Sequence, residues 1–95
     1  MDVLLVLTSR ESGPIATGLI RALDRAGARW QCFFTNDGVE LLNHPEFLTA
    51  IAGTARAVTC THSWDIYGSG DCPVERGSQT IHSSMMGEAS RVISL

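Results

Sequence analysis

Four short apolar runs, each too brief for a helix, are separated by stretches with helical spacing, and this alternation constrains the fold more than any other feature. The first run, VLLVL at Val3–Leu7, is continuous and partly β-branched. Such a run fits a strand buried on both faces, as in a parallel sheet. RWQCFF at 29–34, RAVTC at Arg56–Cys60 and RVISL at 91–95 predict three further strands.

Between the runs the period changes. Pro14 suits the first turn of a helix begun by Ser12 or Gly13. Ile15, Leu19, Ala22, Leu23 and Ala26 then recur at helical spacing, and Gly27 supplies a stop. Asp37 and Glu40 have capping-box spacing for a second helix, which His44-Pro45 kinks or divides and Gly53 closes. Ile81, Met85 and Ala89, spaced four apart, predict a last helix over 78–89. Residues 61–73 show no clear period and contain Gly68, Gly70 and Pro73, so they read as a long loop of the kind that is often functional. Strand and helix alternate throughout. The expectation is a single α/β domain over 1–95, a small, mostly parallel open sheet with helices on both faces.

Composition narrows the partners. The formal charge of −3 and the absence of any basic run leave no electrostatic footprint for nucleic acid. No apolar run approaches the ~20 residues that span a bilayer, so no membrane association is expected. VLLVL is too short for a signal-peptide core and follows Asp2 where a basic segment would be needed. Three cysteines without an export signal point to a reducing compartment, and the cytoplasm is the expected location. Only 18% of residues are charged, which leaves room for an oligomer interface over the edges of a small sheet.

In open parallel sheets, ligands bind outside the carboxyl ends of the strands. That rule places Ser9, Asn36, Asp37 and Cys60 on one rim. Each of the first three also suits turn formation or capping. Cys60 has two readings, a small buried hydrophobe or a reactive thiol whose thiolate fraction is raised by helix N–H groups or nearby cations. His62, two residues on, would reach the sulfur if the chain turned back. Cys32 lies inside a predicted strand and reads as core. Cys72 is either incidental or a resolving thiol for Cys60. Trp64 and Tyr67 read equally as half-buried packing or as lid and partner contacts.

Cofactor signals are absent. Cys60, His62, Cys72 and His82 are suitable ligand types for zinc, but their spacing matches no compact zinc pattern, and no metal is expected. TSRESG, where a phosphate loop would lie, has neither G-x-G-x-x-G nor G-x-x-x-x-G-K-[ST].

With Cys60 placed, the chain resembles the DsrE/DsrF-like family, which includes the TusD/YchN-like sulfur-relay proteins. FFTNDGV at 33–39 is similar to the family's second strand and turn, VTC ending at Cys60 to the strand whose terminal cysteine carries persulfide sulfur, and RVISL to the final strand. The resemblance implies an α/β sheet that assembles into trimers or hexamers. It also implies that Cys60 accepts sulfane sulfur from a donor protein and passes it to an acceptor cysteine, without a cofactor. The segment after Cys60, THSWDIYGSGDC, departs from the alanine- and arginine-rich stretch of TusD. The other expectation is a non-catalytic subunit of an oligomer, or a module of this fold that binds a partner or small ligand.

Overall fold

All four apolar runs form strands in a computed structural model that describes residues 1–95. They are β1 (Val3–Leu7), β2 (Trp30–Phe34), β3 (Arg56–Cys60) and β5 (Arg91–Ser94). A fifth strand, β4 (Glu75–Gly77), falls between the stretch without a clear period and the predicted last helix, where the sequence predicts no element. All neighbours pair in parallel, in the order β4-β3-β2-β1-β5. The fold is therefore α/β, with a five-stranded parallel sheet.

The helices are α1 (Gly13–Arg25), α2 (Pro45–Ala50), α3 (Thr61–Tyr67) and α4 (Gln79–Glu88). The chain steps outward one strand at a time from β1 to β4 and then crosses back to the far side of β1. Right-handed crossovers that reverse direction must place their helices on opposite faces. The packing follows this rule. Ala16 and Ile20 of α1, Phe47 of α2 and Trp64 of α3 join Leu5, Leu7, Cys32 and Phe34 in the larger core. Met85 of α4 joins Leu4, Val6, Phe33, Val58 and Cys60 in the smaller one.

Alternate residues of one strand thus enter different cores, as the two-residue period of a strand requires. Burying a large aliphatic side chain contributes roughly 1.5–3 kcal/mol. Both clusters consequently matter to a chain this short.

Three predicted details change. The stripe that α1 buries runs through Ala16 and Ile20, with Leu19 and Leu23 beside it, while Ile15 is 68% exposed. The second helix starts as a 3-10 segment, Asn36–Asn43, and becomes α-helical only after the His44-Pro45 break. Asp37 and Glu40 do not form a capping box there. Asp37 Oδ1 instead accepts the Arg10 N–H at 3.1 Å, and Glu40 pairs with the Arg10 guanidinium at 3.2 Å. Residues 61–67 form α3, which shows no amphipathic stripe because only Ser63 and Trp64 are buried on it. Gly27 does end α1, at φ +70°, the left-handed conformation that favours glycine.

Candidate functional site

Three strand exits meet above the sheet. At the first, Ser9 Oγ accepts the Glu11 N–H at 3.2 Å and caps a short 3-10 turn, Arg10–Ser12. At the second, Asn36 adopts φ +53° and sends its N–H to Ser63 Oγ at 2.9 Å. Gly38 follows, so close to β1 that a Cβ there would lie 2.2 Å from the Leu7 carbonyl oxygen. At the third, β3 ends in Cys60 and the chain enters α3 at once. The rim residues named from topology therefore do gather at the carboxyl ends. Ser9 Oγ and Asp37 Oδ1 are taken up by N–H groups of the Arg10–Ser12 turn, and Asn36 gives its backbone N–H to Ser63.

Cys60 stands apart from them. It is 7% exposed and belongs to the smaller core, yet it also occupies the position just before the first turn of α3. Burial pushes its thiol pKa up. The Ser63 hydroxyl and N–H, the His62 N–H and the Gln79 amide outweigh that effect, and the net shift is downward. Gln79 reaches in from the first turn of α4, its Nε2 3.8 Å from the sulfur. Ser63 Oγ accepts the Asn36 N–H and lies 3.4 Å from Thr35 Oγ1; with Thr35 as the donor in that contact, the Ser63 proton is available to the thiol. His62 acts here through its backbone, since its residue is exposed on α3.

Neither Ser63 nor Gln79 was singled out by the sequence. Ser63 carried one usable signal: it lies three residues beyond Cys60, the spacing at which side chains and backbone exchange bonds at a helix start. Gln79 carried none, because it arrives from 19 residues away through the β4 crossover.

The other cysteines occupy different surroundings. Cys32 is fully buried in β2, its thiol pushed up from 9.0 to about 12 by burial, with only a long contact to Thr54 opposing this. Cys72 packs against the larger core, whereas Cys60 belongs to the smaller one, and Cys72 Sγ lies 3.2 Å from the Val74 carbonyl. The structure does not bring Cys60 and Cys72 together. No three His, Cys, Asp or Glu side chains converge as a metal site. Trp64 is 5% exposed and forms part of the core, whereas Tyr67 is 42% exposed at the end of α3.

A groove of about 830 Å³ runs between α1 and α2, lined by Thr17, Arg21, Asp24, His44 and Phe47 among others. It includes neither Cys60 nor any group that supports the thiol, so groove and thiol are separate features. No helix is long and apolar enough to cross a membrane. Comparison with known protein families, with curated proteins and with solved structures found no match.

Proposed function

We propose that the chain is a sulfur carrier of the DsrE/DsrF-like kind, with Cys60 as the thiol that is loaded and unloaded. One observation carries this reading: a cysteine at the carboxyl end of a parallel strand, at the start of a helix, whose hydrogen bonds favour the thiolate despite its burial. The thiolate is the form that attacks sulfur.

The chemistry balances without a cofactor. The Cys60 thiolate attacks the outer sulfur of a donor persulfide. The donor S–S bond breaks, and its inner sulfur leaves with the electron pair as a thiolate. Cys60 then carries S–SH. An acceptor thiolate attacks that outer sulfur in turn, and Cys60 departs as the thiolate that Ser63, His62 and Gln79 favour. A leaving group of lowered pKa departs faster, so the same hydrogen bonds assist unloading.

Partner proteins would bring the donor and acceptor cysteines. Ile66 and Tyr67, 58% and 42% exposed on α3, offer apolar surface on the helix that begins at the thiol. An assembly of three or six chains in the cytoplasm belongs to the same proposal.

Intact mass after exposure to a persulfide donor tests the reading. The folded parent should gain one sulfur that a reductant removes, and Cys60→Ser should gain none. A folded parent that takes up no sulfur would support the non-catalytic subunit instead.

A further inference from the structure

The Gln79 amide touches two groups at once. Its Nε2 faces Cys60 Sγ at 3.8 Å, and its Oε1 lies 3.2 Å from Nδ1 of His82, one helical turn further along α4. A thiolate can only accept, so the amide must present its NH₂ group to the sulfur. Its oxygen then faces the imidazole, which must hold a proton on Nδ1 to complete the bond. The ring is held flat against Phe33, with centroids 4.2 Å apart and planes 4° from parallel. Its other nitrogen, Nε2, is buried without a hydrogen-bond partner. A proton on Nε2 would be a buried donor with nothing to receive it, which is costly. Burial also lowers the His82 pKa and keeps the ring neutral. The proton of the neutral ring therefore belongs on Nδ1.

We propose that His82 is a positioning residue for Cys60: its Nδ1–H, fixed by the stack on Phe33, locks the Gln79 amide with its NH₂ group toward the sulfur. Without that lock the amide can turn and offer its oxygen, which repels a thiolate. The inference rests on Cys60 being the reacting thiol proposed above.

The groups facing both ends of the relay carry no charge. Cys60 meets the His62 N–H and Ser63 from α3, Gln79 from α4 and its pairing partner Gly77 in β4. His82 meets Phe33 from β2 and Gln79 from its own helix.

The test is the pH dependence of alkylation at Cys60, read by peptide mass, in the full chain and its variants. His82→Phe keeps an aromatic ring for the stack and removes the donor; its midpoint should rise by about half a pH unit, the scale of one weak hydrogen bond to a charged group. Gln79→Met removes both amide contacts at similar volume and should raise the midpoint at least as far. The double variant should match Gln79→Met alone, because a residue acting only through its neighbour adds nothing once that neighbour is gone. His82→Asn, which can donate from near the Nδ1 position, should return the midpoint toward the parent value.

An unmoved midpoint in His82→Phe, an additive shift in the double variant, or a Cys60 that does not titrate in the parent would each overturn the proposal. Sulfur loading of the parent separates the two readings. A parent that takes up sulfur with unmoved midpoints overturns the positioning role alone, and one that shows the shifts but takes up no sulfur overturns the carrier reading alone.

Discussion

Ser63 ties the second and third strand exits together with a single hydroxyl. Its oxygen receives the Asn36 N–H, which holds a residue at φ +53° in place, and its proton favours the Cys60 thiolate. Ser63→Ala should therefore have two effects. The midpoint of Cys60 alkylation with pH should rise by about half to one unit, and stability should fall by about 1 kcal/mol for the lost bond to Asn36. The direction follows from the sign of the native shift: groups that favour the thiolate lower the pKa, so removing one raises it. Alkylation rates across pH and a urea melt of the same variant check both effects. The spacing of Ser63 from Cys60 was the one signal in the sequence, and it could not reveal the second role, because Thr35–Asn36 is a turn that only the fold brings beside it. Cys60 was legible because a strand end and a topology rule were enough to place it on the rim.

Among the elements, β1 and β2 were legible because strands buried on both faces are dominated by apolar side chains, and Leu4, Leu5, Leu7, Phe33 and Phe34 are fully buried. β4 was not legible. It is three residues long, and two of them point charges outward: Glu75 to Arg56 with contacts of 2.9 and 2.6 Å, and Arg76 to Asp65 at 2.5 Å. Nothing apolar marks it. An edge strand held by ion pairs to β3 and α3 leaves no pattern for a period to detect.

Two glycines make the opposite point about local rules. Gly38→Ala would drive a methyl group into the Leu7 carbonyl, and it should destabilise the chain by about 2 kcal/mol or more by prising the 3-10 segment from β1. Gly18→Ala, within α1 with nothing within 4 Å of its added methyl, should stabilise by roughly 0.5–1 kcal/mol. Thermal melts of the two variants should move in opposite directions.

At the scale of the whole molecule, the sheet separates two thiol chemistries. Cys60 sits at a strand end with its pKa lowered, and Cys32 sits mid-strand with its pKa raised to about 12. A raised pKa means that the folded state keeps a proton which the unfolded chain releases above pH ~9. The Cys32 contribution to stability is intact below that pH and is lost as pH climbs toward 12. Stability should decline there by about 1 kcal/mol per pH unit. Cys32→Val should flatten the decline, as denaturant midpoints at pH 8 and pH 10.5 would show. The chain has no lysine, so few other side chains change charge in that window.

We propose that sulfur enters and leaves through Cys60. The most direct measurement uses a chain in which Cys32→Val and Cys72→Ser leave Cys60 as the sole cysteine. The folded protein is loaded with a persulfide donor, separated from it, and mixed with an acceptor thiol while its intact mass is followed. The chain should gain one sulfur on loading and lose it to the acceptor, with the parent mass restored. A folded single-cysteine chain that gains no sulfur, or one that holds it against an excess of acceptor, would contradict the claim.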